Sequence, residues 1–179
     1  MALFSGLSIW TMVHGMALGG GAIAALFGAL LLVYARAAGP GGQGSVSASS
    51  SPLVGLFSVA SAGLLWITVL VGTYIVFPPY RAAPPEGATD LSAYPRSMVL
   101  ADPNTAWLHS FGMEIKEHVP WIAAMLATAV AFVVVRFGGH LTRDPLVRRT
   151  VMGWLAISLA MVSAAALLGV FVNKVAPVQ

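Results

Sequence analysis

Four long apolar stretches, separated by polar or proline-rich connections, constrain this chain more than any other feature of its sequence. They run over about residues 7–35, 53–77, 106–136 and 149–172. A helix needs about 20 apolar residues to cross a bilayer, and the third stretch reaches that length only with the amphipathic segment before Val119. The sequence therefore predicts an all-α integral membrane protein, with four transmembrane helices in one bundle and a single membrane domain over residues 1–179.

The composition agrees with a membrane environment. Of 179 residues, 58% are hydrophobic and 8% are charged, against roughly 25% charged in an ordinary soluble domain. The sequence has no cysteine, which excludes disulfides, thiolate-ligated metal centres and covalently attached haem. The basic residues are scattered among the connections, so they favour a lipid bilayer rather than nucleic acid as the surroundings of the protein.

The long connection, residues 78–105, is rich in proline. It contains Pro78, Pro79, Pro84, Pro85, Pro95 and Pro103. Because proline fixes its own backbone and has no N–H, we expect an extended loop without regular structure. Such a loop is a suitable contact surface for a periplasmic cytochrome or another extramembrane subunit.

The sequence after this loop carries a helix-start signal. Asp102 followed by Pro103 is typical of an N-cap and a first helical residue. We therefore expect an amphipathic helix that begins there and leads into the third span. Pro120 is expected either to kink that helix or to begin a new one.

The basic residues also predict the orientation. Arg36 follows the first span, and four arginines surround the connection between the third and fourth spans, namely Arg136, Arg143, Arg148 and Arg149. Cytoplasmic loops of membrane proteins carry an excess of Lys and Arg. Both termini and the long connection are then expected on the outer, periplasmic side of a bacterial inner membrane.

Six titratable residues are expected near this outer face. Polar groups within a membrane are costly and usually serve a function. His14 lies in the first span beside several glycines, including Gly21, which would leave room for a flat macrocycle. Glu114 and His118 are four residues apart and share one face of a helix. The six residues are His14, His109, Glu114, Lys116, Glu117 and His118.

Three interpretations of these residues are open. In the first, His14 and His118 are the axial ligands of one b-type haem between the first and third helices, with Gly21 and His109 also near the cofactor. In the second, His14, His109, Glu114 and His118 bind a copper, iron or zinc ion. In the third, the groups are structural: His118 pairs with Glu114, Lys116 pairs with a glutamate, and His14 bonds to a neighbouring helix. The same side chains could also line a quinone site.

The four spans and the two histidines are similar in architecture to small four-helix b-type cytochromes and to the haem-bearing membrane anchors of respiratory complexes. The resemblance implies a membrane subunit of a respiratory or photosynthetic electron-transfer complex, bound to other membrane subunits, rather than a complete enzyme. The alternative is a structural or assembly subunit without a cofactor.

Overall fold

The computed structural model describes residues 5–38 and 51–177, and within these ranges it contains helices and no strands. Four helices are long and apolar enough to cross a membrane: Gly6–Ala35, Pro52–Tyr80, Leu108–Phe137 and Pro145–Val175. At 1.5 Å of rise per residue, 29 to 31 residues exceed the roughly 30 Å of a hydrocarbon core. The predicted all-helical class with four helices able to span a membrane is confirmed, and the chain is a multi-pass membrane protein.

The ends of these helices follow from local chemistry. The fourth helix begins after Asp144, whose carboxylate accepts hydrogen bonds from the backbone N–H groups of Leu146 (2.8 Å) and Val147 (3.3 Å). Pro145 then occupies the first turn, where no N–H is needed. The hydroxyl of Ser5 caps the first helix in the same way, accepting from the N–H of Ser8 at 3.0 Å. Both helices therefore start where the sequence supplies an N-cap.

The four helices form a ring in which each packs against the next and the fourth packs against the first. The first and third helices therefore lie on a diagonal of the bundle. Small residues fill its centre, among them Ala22, Ala29, Ala123 and Ala127, each almost completely buried. Small side chains let helix backbones approach closely, and this is how helices associate in lipid.

The two ends of the bundle differ. At one end, the long connection packs on the helices through a second apolar cluster that includes Tyr80, Val99, Leu108 and Val172. This cluster joins the end of the second helix, the connection, the start of the third helix and the end of the fourth. We call this end the loop-capped end. The opposite end carries the four arginines of residues 136–149, and we call it the basic end.

The long connection is more regular than its proline content predicts. It contains a short helix, Pro95–Ala101, and the second long helix continues through Pro78 and Pro79 to Tyr80. The expectation that proline excludes regular structure here is wrong. Pro95 begins the short helix, where no N–H is needed, and Pro78 and Pro79 lie in the last turn of the second long helix. Residues 82–94 contain no helix, in agreement with the prediction.

The predicted N-cap at Asp102 is formed, although the regular helical residues begin about one turn later, at Ala106. The carboxylate of Asp102 accepts from the N–H of Asn104 at 2.8 Å, and its carbonyl accepts from the N–H of Ala106 at 2.9 Å. These are the two hydrogen bonds of an N-cap, and the side-chain bond has the same geometry as that at Asp144. Further along, the helix Glu114–Phe137 runs through Pro120 without ending.

Candidate functional site

Three of the four long helices contain a π-helical stretch, and all three stretches lie at the loop-capped end. They are Val13–Gly19, Gly72–Val76 and Leu108–Met113. π-Helical turns are rare and frequently occur at functional sites. The first contains His14 and the third contains His109, so the unusual backbone coincides with two of the predicted site residues.

His14 is partly buried and faces the second helix. A methyl group added at Gly72 would lie 2.6 Å from Cε1 of the His14 ring, so only glycine leaves space for the imidazole there. The ring also hydrogen-bonds to the backbone of Thr68. Its Nδ1 is buried and has no hydrogen-bond partner. A buried polar atom without a partner is costly, so this nitrogen is available to a ligand.

Lys116 reaches the same region from the third helix. A methyl group added at Gly169 of the fourth helix would lie 2.6 Å from the Lys116 Nζ. The π-helical stretch that holds His14 also contacts the fourth helix. Residues of all four helices thus lie together at this end, and we call the group formed by His14, Gly72, Lys116 and Gly169 the His14–Lys116 site.

This site has positive charge without a neighbouring acid. Within residues 5–38 and 51–177, the sole oppositely charged pair closer than 4.0 Å is His118 with Glu114. The pairing of Lys116 with a glutamate, expected in the structural interpretation, is therefore not formed. Pro120 has no N–H, so the Lys116 carbonyl also receives no helical hydrogen bond from that residue.

A second polar group lies nearer the surface of the loop-capped end. The Tyr80 hydroxyl and the His109 Nδ1 are 3.0 Å apart, and both rings lie within electrostatic range of Arg96 and Glu117. The Arg96 Nε is buried and has no partner. We call these four residues the cap cluster. They connect the short helix, the second helix and the third helix.

His118 faces away from the bundle. Its side chain is 70% exposed, and its Nδ1 lies 2.8 Å from the Glu114 carbonyl and 3.7 Å from the Glu114 carboxylate. The expected His118–Glu114 pairing is confirmed. With Nδ1 bonded to that carbonyl, Nε2 is left pointing outward. His14 and His118 thus face different surroundings: one lies against the second helix and the other at the outer surface.

The remaining predicted site residues are separated as well. Gly21 lies against the second helix, with Leu64 Cδ1 3.4 Å from where its Cβ would be, so it occupies a helix-packing position. His109 bonds to Tyr80 rather than to Glu114 or His118. Among the described residues, no three His, Asp or Glu side chains gather closely enough to hold a metal ion.

The two glycines that leave space for His14 and Lys116 were not predicted from the sequence. Gly72 and Gly169 are distant from His14 and Lys116 in sequence, and glycine is common throughout this chain. Tyr80 and Arg96 were also missed, because both lie within the connection that was predicted to be an irregular loop. The signal that was available is Lys116 itself, which is a lone lysine four residues before a proline in an apolar helix.

No protein-family description, no curated protein and no solved structure matches this chain.

Proposed function

We propose that the protein is a membrane subunit of a respiratory or photosynthetic electron-transfer complex and that the His14–Lys116 site binds the head group of a quinone. The observation that carries the proposal is the convergence of His14 and Lys116 from diagonally opposed helices. Ionisable groups inside a membrane are expensive and mark ligand or ion pathways. Here no carboxylate lies at ion-pair distance from the lysine.

The chemistry of the site suits a quinone. The Lys116 ammonium is a donor for a carbonyl oxygen, and its charge would stabilise the negative charge that builds up when a quinone is reduced. The unpartnered Nδ1 of His14 supplies a second polar contact. The cap cluster lies at the same end of the bundle, and its Tyr80, His109 and Glu117 would exchange protons between this site and the aqueous phase.

One b-type haem is the second candidate, and the geometry of His118 favours it. Histidines that ligate metals usually donate their other ring N–H to a carbonyl or carboxylate, which orients the ring. In His118, Nδ1 is bonded to the Glu114 carbonyl, which leaves Nε2 for an iron. Because this ring faces outward, the haem would sit at the outer side of the third helix rather than inside the bundle.

The proposed orientation places the loop-capped end on the periplasmic side of a bacterial inner membrane, since the opposite end carries the arginines. The connection and its short helix would then be the docking surface for an extramembrane subunit, such as a periplasmic cytochrome. The helices would contact other membrane subunits of the same complex.

Two measurements on the protein purified in mild detergent test the proposal: the amount of co-purified quinone after solvent extraction, and the reduced-minus-oxidised absorbance spectrum. We expect bound quinone in the native protein, a loss of about tenfold or more in Lys116→Met, and no loss in the control Lys174→Met. Removing a charge-assisted hydrogen bond is sufficient for an effect of that size.

The other interpretations predict different results. A haem gives an α-band near ~560 nm that His118→Ala abolishes and Lys116→Met leaves intact. A non-haem copper, iron or zinc site gives stoichiometric metal that His118→Ala or His109→Ala removes. A protein without quinone, haem or metal is a structural or assembly subunit, and that result overturns the proposal.

A further inference from the structure

An apolar groove opens at the basic end, far from the His14–Lys116 site. It lies between the third and fourth helices and has a volume of about 480 Å³, within the roughly 300–1,000 Å³ of ligand pockets. Its wall is formed by apolar side chains such as Val133, Val151 and Trp154, and its lining also includes His140 and Thr150. The groove lining is therefore mostly apolar, and its polar side chains are those of His140 and Thr150.

One arginine lies beside the groove. The guanidinium of Arg136 lies over the ring of Phe137, with 5.6 Å from Cζ to the ring centroid, and Phe137 lines the groove. The same ring makes an edge contact with His140, with 6.2 Å between ring centroids. Arg136 is exposed, so a positive charge lies at the surface beside the groove lining.

Positive charge at this edge is not neutralised by acids. Residues 136–150 contain four arginines and one carboxylate, that of Asp144. Asp144 caps the fourth helix by accepting from the N–H groups of Leu146 and Val147, so its carboxylate is already engaged. The entrance therefore attracts anions, while the groove behind it accepts hydrocarbon.

From this arrangement we infer that the groove is a binding site for an anionic glycerophospholipid of the surrounding bilayer. An acyl chain lies along the apolar wall between the third and fourth helices, and the phosphate lies at the entrance beside Arg136 and His140. Basic pockets between membrane helices on the cytoplasmic side select anionic lipid head groups for this reason. Leu146, which is 73% exposed at the rim, adds apolar surface where the lipid backbone would lie.

The inference is independent of the proposed quinone site, because the two sites share no residue. It is tested on the full-length protein in mixed micelles that contain equal amounts of phosphatidylglycerol and phosphatidylcholine. Native mass spectrometry then counts the lipids retained by the protein. We expect retained phosphatidylglycerol to exceed phosphatidylcholine by about tenfold, because a basic residue near a membrane contributes on the order of a fivefold preference for an anionic lipid.

Three variants separate a groove from mere surface charge. Arg136→Gln should lower retention of phosphatidylglycerol about fivefold, whereas Lys174→Gln, which removes one charge at the other end, should change it less than about twofold. Thr150→Trp keeps every arginine but fills the entrance from an exposed position, and it should also abolish retention.

Three results would overturn the inference: equal retention of the two lipids, unchanged retention in Arg136→Gln, or full retention in Thr150→Trp. The last of these would mean that the lipid is held by surface charge alone and that the groove is not its site. Because Arg136 and Thr150 are both exposed, these variants should fold, and a thermal unfolding curve checks this.

Discussion

The two ends of this bundle differ in how far their positively charged side chains are exposed. At the loop-capped end, His14 lies against Gly72 of the second helix, and Lys116 lies against Gly169 of the fourth helix. At the basic end, Arg136, Arg143 and Arg149 are exposed, and Arg136 lies beside an open groove through its contact with Phe137. A buried positive charge is costly and must be supported by the surrounding structure, whereas an exposed one costs little.

A basic residue therefore has a different structural consequence at each end of the bundle. An exposed arginine can bind an anion and leave the fold unchanged when it is removed. A partly buried lysine such as Lys116, with no acid at ion-pair distance, opposes folding, so its presence needs another reason. The predictions below test this contrast, beginning with the largest expected effect.

Replacing Lys116 by methionine should stabilise the bundle. Methionine has a similar length without the charge, and exchange of buried charged groups for apolar ones of like volume stabilises proteins by about 1–4 kcal/mol. Unfolding in mixed micelles measures the effect, and Lys174→Met at an exposed position should change the stability little. A destabilised Lys116→Met protein would mean that the ammonium has a strong partner, and the contrast between the two ends would fail.

Placing a methyl group at Gly72 should destabilise the bundle by about 1–3 kcal/mol, the usual cost of overpacking. The new Cβ would lie 2.6 Å from the His14 ring, which is rigid and partly buried. The control Gly63→Ala lies in the same helix, where an added Cβ meets no atom within 4 Å, so its stability should be nearly unchanged.

The source of that cost can be isolated with a double variant. If the clash is with the imidazole, Gly72→Ala should cost much less in a His14→Ala background, and a double-mutant cycle gives the coupling between the two positions. Equal costs in both backgrounds would show that Gly72 is needed for another reason, and the close contact with His14 would not define the site.

At the basic end, the fold should depend on one capping residue and not on the arginines. Asp144→Ala removes the acceptor for the Leu146 and Val147 N–H groups and should cost about 1 kcal/mol, as N-cap substitutions do. Asp144→Asn keeps a capping side chain and should cost less. If Arg149→Gln lowers the free energy of unfolding as much as Asp144→Ala, the exposed arginine has a structural role. The contrast between the two ends would then fail.

The smallest expected effect is a change in the pKa of Asp90, which lies in the connection at the loop-capped end. Hydrogen bonds from the backbone and side chain of Ser92 lower the pKa of the exposed Asp90 carboxyl below its ordinary value. A lowered pKa favours the charged form in the folded protein, so its stabilisation is present above the ordinary pKa and is lost as the pH falls through the folded one.

Ser92→Ala should therefore raise the pKa of Asp90 part of the way to its ordinary value, since the backbone bond, 2.9 Å from N to Oδ1, remains. Titration of the Asp90 carboxyl by NMR measures the change, and Ser97→Ala in the neighbouring helix is a matched control. An unchanged pKa in Ser92→Ala would show that the hydroxyl does not contribute.

Part of the site was predictable from the sequence and part was not. His14, His109 and Lys116 could be placed at one end of the bundle because helix count and length fix which segments share a membrane face. Their partners could not be predicted. Which way a helical side chain points depends on the rotation of each helix, and the π-helical turns at Val13–Gly19 and Leu108–Met113 change that rotation without an evident sequence signal.

The apolar runs by themselves determined the number of helices, their approximate ends and the all-helical class, because backbone groups in a bilayer must be satisfied within each helix. The tertiary structure decided which charges are buried together. It placed the first and third helices on a diagonal, aligned Gly72 with His14 and Gly169 with Lys116, and turned His118 outward. Those outcomes depend on contacts between residues far apart in the chain, and the hydrophobic pattern of a single segment carries no information about them.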